Sequence, residues 1–414
     1  MTVVEFFDNC SVENIASALL CAPGKVILFG DNESKLVKSE QLYSSIVASK
    51  GLDVVFDHRK ANRNDLTNIV EVLSDIVEKE GECVFDLEGG EDLFLVAVGI
   101  VYEKYRDRIQ LHRFNIHTGT LYDCDADGKV CNKLPVKLSV EENVLAYGGR
   151  IITTADSSCG THNVELTDDF INDIEQMWKL CSDNTGRWNS QTACISKLCS
   201  ESKCSDGLSF KASMEIVATL MKKNSTYIKK LMTLFKSLEN YGLIKALFFD
   251  DRVVSFTFKN TQVKSCLTSA GRLLELVVTV MALKAKDKNG EPVYNDVRTG
   301  VCIDWDTVAA PEYSADVANE IDVMIMKDLT PIFVSCKNGG FDANELYKLS
   351  VVAERFGGKY ARKVLIASQS VDKTAQGRYL KLRADDMNIR IIDDFDRKSG
   401  KEIEHIFRNL WQST

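Results

Sequence analysis

Along the first 150 residues, apolar and polar positions switch between two periods. Short apolar runs of strand length occur at Thr2–Phe7, Lys25–Phe29, Asp53–Phe56 and Cys83–Leu87. Between them, Val12–Leu20, Ser39–Ser49 and Asn64–Glu80 place apolar residues at helical spacing, the last through Leu66, Ile69, Val70, Leu73, Ile76 and Val77. An apolar helix, Glu91–Tyr105, follows Gly89-Gly90. Strands alternating with helices across short connections predict a parallel, doubly wound, Rossmann-like sheet. Leu111–Asn115 and Leu121–Cys124 predict a late antiparallel hairpin. Ligands of such sheets sit beyond the C-terminal strand ends, which here carry Asp8–Ser11, Gly30–Asn32 and Glu88–Glu91.

The pattern changes after residue 150. Glu165–Leu180 reads as a helix, and Ser182–Ser205, rich in Ser, Asn, Thr and Cys, reads as a linker. Two helical stretches, Ser213–Met221 and Thr226–Tyr241, precede a hairpin of Leu247–Phe249 and Val253–Phe258, a winged-helix-like order. From residue 262 the α/β alternation returns. Arg272–Lys284 is a helix, and Val301–Trp305, Glu320–Met326, Ile332–Lys337, Lys363–Ser368 and Ile389–Asp393 are strands. Asn344–Phe356, Asp372–Asp385 and Glu402–Trp411 are the helices among them. The expected division is 1–150, 151–261 and 262–414.

A net charge of −9 over 414 residues speaks against a nucleic-acid partner. Its distribution changes that. From Gln262 onward 22 basic residues balance 22 acidic ones, so the deficit lies in residues 1–261. Arg355–Arg383 alone holds eight basic residues against Asp372. No run of 18 apolar residues exists to span a membrane, and Met1–Asp8 lacks the basic start of a signal peptide. Reduced thiols in a cytosol are the expectation for the 13 cysteines.

The segment with chemistry is Asn319–Lys337, which reads as strand, tight turn, strand. Period-2 alternation puts Glu320 and Asp322 on one face, and Ser335 and Lys337 on one face of the neighbour. Carboxylates and a lysine in otherwise apolar strands are unfavourable unless paired or holding a metal. A hard divalent cation takes carboxylate oxygens, and Lys337 beside it would orient or deprotonate a water or neutralise a phosphate. Glu275 lies on the preceding helix. The run Phe356-Gly357-Gly358-Lys359-Tyr360-Ala361-Arg362-Lys363 then offers glycines and cations suited to a phosphodiester backbone, and Lys359, Arg362 and Lys363 are its candidate contacts.

This order of helix, acidic strand, hairpin and lysine strand resembles the PD-(D/E)xK nuclease fold. The resemblance implies a Mn²⁺ or Mg²⁺ held by Asp322, Glu320 and the Cys336 backbone carbonyl. One departure stands out: Ser335 occupies the usual position of an acid two residues before the lysine, and Glu320 or Glu345 would stand in for it. Together with Asp86-Leu87-Glu88-Gly89-Gly90-Glu91, the chain is similar as a whole to the CRISPR-associated ancillary nucleases with a CARF sensor domain. That resemblance implies a cytoplasmic prokaryotic homodimer that binds a cyclic oligoadenylate, cyclic tetra-adenylate ahead of cyclic hexa-adenylate, and then cuts RNA or DNA. Its ligand loops would be Asn9, Cys10 and Ser11 after the first strand, and Leu87, Glu88, Gly89, Gly90 and Glu91 after the fourth, with Asn32 and Arg150 as further candidates. The alternative is a nucleotide-sensing, DNA-binding regulator with a degenerate nuclease domain, which Ser335 favours. Cys181, Cys194, Cys199 and Cys204 lack the CxxC spacing of structural zinc, and no Walker A or GxGxxG pattern is present.

Overall fold

The computed structural model describes all residues except 117, 126–127, 133–135, 153–163, 202–206, 270, 307–317 and 413–414; His117, His162 and Cys204 lie outside the described residues. The N-terminal unit runs β1 (Thr2–Phe6), α1 (Ser11–Cys21), β2 (Lys25–Gly30), α2 (Glu33–Ser49), β3 (Val55–Lys60), α3 (Leu66–Glu80), β4 (Cys83–Asp86) and α4 (Asp92–Lys104). The strands β5 (Ile109–Asn115), β6 (Thr120–Asp123) and β7 (Lys129–Asn132) complete it. The sheet order is β3-β2-β1-β4-β5-β6-β7. Pairing is parallel from β3 to β5 and antiparallel beyond. The apolar runs are near-continuous because helices cover both faces. Val4, Phe6, Phe29 and Phe85 pack under α3 and α4, and Val3, Leu28 and Val84 pack on the other face. The chain steps outward from β1 to β3 and then returns to β4 on the other side of β1. The topological switch, where such sheets form a ligand crevice, therefore lies between β1 and β4.

Next come α5 (Val140–Ala146), β8 (Arg150–Ile151), α6 (Asp168–Ser182) and α7 (Thr185–Glu201). The expected linker Ser182–Ser205 is thus largely a helix. Trp188, Gln191, Thr192, Ile195 and Leu198 are buried along one side of it. Its hydroxyls turn back onto the helix: Ser190 donates to the Gly186 carbonyl at 3.1 Å and Thr192 to that of Trp188 at 3.0 Å. Polar composition hid a helical stripe whose hydroxyls are satisfied internally. The winged-helix-like order is present as β9 (Ser209–Ser213), α8 (Met214–Leu220), α9 (Ser225–Asn240), β10 (Ile244–Phe249) and β11 (Val253–Phe258), in a three-stranded sheet β10-β11-β9.

The C-terminal part comprises α10 (Thr261–Thr268), α11 (Arg272–Lys284), β12 (Asp296–Asp304), β13 (Ala318–Lys327), β14 (Thr330–Lys337), α12 (Ala343–Gly357), β15 (Arg362–Ala367), α13 (Ala375–Asp386), β16 (Ile389–Ile392) and α14 (Gly400–Arg408). Its mixed sheet has the order β16-β15-β14-β13-β12-β8. One face, with Val323, Ile325, Val334 and Ile366, packs on α11 and the middle module. The other face, with Met324, Phe333 and Leu365, shares a core with α12 and with residues of α1 and α2. The N-terminal unit and the mixed sheet are therefore joined through a continuous apolar core. The expectation of reduced thiols fails at Cys302, which is disulfide-bonded; nine other described cysteines are free. No single described helix is long and apolar enough to cross a membrane.

Candidate functional site

β13 and β14 pair from Lys327↔Thr330 to Val323↔Val334, and the ladder stops there. Asp322 lies at the point where the strands part. Its Oδ2 accepts the Ser335 hydroxyl at 3.2 Å and the Cys336 N–H at 2.6 Å, a backbone donor released by the end of the ladder. Lys337 Nζ sits 2.6 Å from Glu345 Oε2, while Lys348 holds the other Glu345 oxygen at 3.0 Å. Asn319, Glu320, Asp322, Ser335, Lys337 and Glu345 line one small cleft of about 90 Å³. Two sequence candidates change character here. Glu345 is an ion-pair partner of both Lys337 and Lys348. Ser335 acts on Asp322 through its hydroxyl.

The electrostatics of this cleft are uneven. Burial, then the charges of Asp322 and Glu320, push the Glu275 carboxyl up to about 7. Burial also raises Asp322, against the pull of the Cys336 N–H and Lys337. Burial alone would lower the Lys337 ammonium, but the Glu345 contact and the Asp322 charge outweigh it and raise it above 10.5. Glu275, Glu320 and Asp322 are thus close enough to repel one another, while Lys337 stays cationic at neutral pH.

The basic loop lies elsewhere. In the β14–β15 register Arg362 is level with Ile332, and Ala367 is level with Lys337. Five residues of strand separate the two levels, about 16 Å. The loop's expected adjacency to Asp322 and Lys337 is therefore incorrect: β15 runs parallel to β14, so its start lies at the far end of the sheet. Lys359 Nζ instead lies 2.7 Å from Oε1 of Glu13, whose side chain on α1 is fully buried. The Tyr360 hydroxyl donates to the same Glu13 carboxyl and, at 3.4 Å, to Glu88. Lys363 is held by Ser350 at 2.9 Å and Glu354 at 3.1 Å. The motif is a joint between the two sheets. Tyr360→Phe is expected to destabilise the protein by about 1.5–3 kcal/mol, the range for a hydrogen bond to a charged group, read as a shifted midpoint in urea unfolding.

At the switch point, Gly89 approaches β1 so closely that a Cβ would lie 2.1 Å from the Phe6 carbonyl oxygen. Gly90 has φ +96°, and a Cβ there would lie 2.8 Å from the Phe6 Cβ. The helices that start here, α1 at Cys10 and α4 at Glu91, have no side-chain cap, whereas α2 and α3 are capped by Asn32 and Asp65. Uncapped first turns leave backbone N–H groups for an anion. Asn32 accepts the Lys35 N–H at 3.1 Å as the cap of α2. The acids that would oppose an anion are engaged: Glu88 with Tyr360 and, at 3.5 Å, Arg113, and Glu91 with Arg63 at 3.0 Å. Asn9 accepts from Lys35 at 3.3 Å, and Arg150 pairs with Asp304 at 3.0 Å, away from this crevice in the mixed sheet. Lys35, Arg63 and Arg113 are the cations the sequence reading missed; they stand 26, 28 and 25 positions from their partners Asn9, Glu91 and Glu88, so no local motif marked them.

Beneath the crevice lie buried acids. Burial pushes Asp86 up to about 7, and burial does the same to Asp8. Burial, then Asp86 and Asp8, raise Glu5 well above its ordinary value. A raised carboxyl keeps its proton in the folded state over a range where the unfolded chain has released it, here from 3.8 to about 7 for Asp86. Stability therefore falls as pH rises through that window. The unfolding midpoint is expected to drop between about pH 4 and 7 and to level off above that, and Asp86→Asn is expected to flatten that slope; a midpoint that rises over this range contradicts the assignment.

No protein-family model and no curated protein sequence matches the chain. Solved structures do. The protein VC1899 from Vibrio cholerae aligns with a TM-score of 0.74 at 16% identity, over 99% of this chain and 97% of its own. Can2 from Sulfobacillus thermosulfidooxidans, solved in complex with cyclic tetra-adenylate, aligns with a TM-score of 0.66 at 14% identity over 99% of each chain. At these identities the likeness establishes architecture, and the chain has, from end to end, the fold of VC1899 and Can2: an N-terminal Rossmann-like sheet joined to a C-terminal mixed sheet.

Proposed function

We propose that the chain is a cyclic-oligoadenylate-activated, divalent-metal-dependent nuclease of type III CRISPR defence, cutting RNA or DNA phosphodiester bonds. Residues 1–150 act as a CARF sensor, 151–261 as a connecting winged-helix-like module, and 262–414 as a PD-(D/E)xK nuclease domain, in a homodimer. The observation that carries it is the combination, in one chain whose sheets share an apolar core, of an uncapped switch-point crevice and the Asp322–Lys337 cleft. The likeness to Can2, which binds cyclic tetra-adenylate, supports the same ligand for the crevice. Backbone N–H groups of α1 and α4, with Lys35, Arg63 and Arg113 around them, suit its phosphates.

The residues of the cleft fit a metal. Asp322 and Glu320 in the cleft, and Glu275 on the neighbouring helix α11, are hard oxygen donors of the kind Mg²⁺ or Mn²⁺ takes, and a cation among them would offset the burial that raises Glu275 and Asp322 and the repulsion that Asp322 and Glu320 add at Glu275. Both described donors to Asp322 bind Oδ2, which leaves Oδ1 as its ligand oxygen. Among the described residues no three such side chains already converge at metal distance, so the Cys336 carbonyl and substrate phosphate would complete the set. When bound, the ion supplies Lewis-acid charge and an acidified water. Lys337, held by Glu345 and cationic at neutral pH, stabilises the negative charge that builds on the phosphate rather than serving as a base.

The test is cleavage of single-stranded RNA, single-stranded DNA and supercoiled DNA, with Mg²⁺ or Mn²⁺, with and without cyclic tetra- and hexa-adenylate. Cleavage that requires both metal and cyclic ligand is expected. Ligand-dependent DNA retention without cleavage under either metal would replace this reading with the regulator.

A further inference from the structure

A second cleft lies in the C-terminal part, where β15 and β16 begin, beside the Lys359–Glu13 joint. Its volume is about 340 Å³, and its lining includes Lys359, Arg362, Lys363, Asn388, Arg390 and Gln412. Four cations thus face one lining acid, Glu354. Lys363 is matched by Glu354, and Lys359 by Glu13 outside the cleft. Among the described residues the two arginines are not matched. Arg362 Nε donates to the Trp411 carbonyl at 3.1 Å and Arg390 to that of Asn409 at 3.1 Å, and neither meets a carboxylate among the described residues. Arg362 is half-buried, and burial lowers its pKa. A partly desolvated guanidinium without a counter-ion is unfavourable, and an anion offsets that penalty. Each arginine gives one N–H to a carbonyl, which leaves further N–H groups of the planar fork, the geometry that matches phosphate oxygens.

We propose that this cleft is a second phosphate-binding site, separate from both the switch-point crevice and the Asp322–Lys337 cleft, and that it takes a phosphodiester anion on Arg362 and Arg390 with Lys359 and Lys363 at its wall. The choice of phosphodiester over other anions rests on the nuclease reading above. Two sources share that chemistry, a nucleic-acid strand and the cyclic oligoadenylate. An anion here also competes with Glu13 for Lys359, so occupancy of the cleft loosens the joint between the sheets.

The test measures binding by the full chain in EDTA, where nothing is cut. The probes are short labelled single-stranded RNA and DNA and labelled cyclic tetra-adenylate, read by fluorescence anisotropy over a salt series. Arg362→Gln combined with Arg390→Gln is expected to weaken one of these ligands about tenfold or more and to reduce the salt slope by about 1–2. Those substitutions also release the Trp411 and Asn409 carbonyls. Asn388→Asp with Gln412→Glu leaves those bonds in place, adds acid to the same cleft and is expected to weaken the same ligand. Loss confined to the strands identifies a substrate track; loss confined to the cyclic ligand identifies an extension of the sensor. Wild-type affinity of both variants for every probe, or no binding of any probe by the wild type, overturns the proposal. The nuclease reading fails separately, on the absence of metal- and ligand-dependent cleavage.

Discussion

Lys337→Ala is expected to lower the cleavage rate about 10²–10³-fold at saturating metal and activator, the range seen when a preorganised stabiliser of developing charge is removed. The ammonium is fixed by Glu345 at 2.6 Å and flanked by the charge of Asp322. It therefore meets the phosphate without reorganising. Its raised pKa means that it stays protonated through the neutral and mildly alkaline range, so the pH–rate profile should show no fall assignable to it below about pH 10. Lys337→Arg keeps the charge and should retain part of the rate. Removal of the lysine also frees Glu345, so Glu345→Gln is the control: it loosens Lys337 without removing its charge and should cost less than Lys337→Ala. Single-turnover cleavage of one labelled substrate checks all three. Wild-type rates for Lys337→Ala would remove the residue from the site.

How much of this was legible in the sequence follows from the range of each interaction. The Asp322–Ser335–Cys336 arrangement spans 14 positions across one hairpin, and strand alternation alone places its members on facing strands. The strand ends were legible too, because Thr2–Phe6 and Cys83–Asp86 are largely apolar and buried throughout, as central parallel strands must be, but which ends form the switch point depends on a strand order that sequence periodicity does not give. β3 was placed too early, at Asp53–Phe56, because the observed strand Val55–Lys60 is a polar edge whose side chains pair with neighbours, His58 with Glu40 and Arg59 with Asp57. The role of Lys359 and Tyr360 was not legible at all. Tyr360 meets Glu13 across 347 positions, and a glycine-and-cation loop looks the same in sequence whether it greets a phosphate or a buried carboxyl on another sheet. The acidity of the N-terminal unit also counts for less at the crevice than its composition suggests: Glu88 and Glu91 are paired, and burial raises Glu5 and Asp86 toward their protonated forms.

Gly89→Ala is expected to destabilise the protein by about 3 kcal/mol or more, beyond the usual overpacking range, and to abolish cyclic-ligand binding with it. The new methyl would sit 2.1 Å from the Phe6 carbonyl oxygen. Nothing nearby can yield cheaply. The obstructing atom is backbone, at the end of β1, which is hydrogen-bonded between β2 and β4. The Phe6 ring is wedged edge-on against Phe29 at 5.7 Å and Phe85 at 5.8 Å. The strain must therefore be released by moving the Leu87–Glu91 turn, which shifts the uncapped start of α4 and parts Glu88 from Tyr360. Gly51→Ala is the control. Gly51 has φ +73° with nothing within 4 Å of a built Cβ, so only the left-handed backbone strain of about 1–2 kcal/mol applies, far from the crevice. Urea unfolding and cyclic tetra-adenylate binding, measured on both variants, separate the two effects. If Gly89→Ala unfolds like Gly51→Ala and still binds the ligand, the close approach of the turn to β1 is not what shapes the crevice.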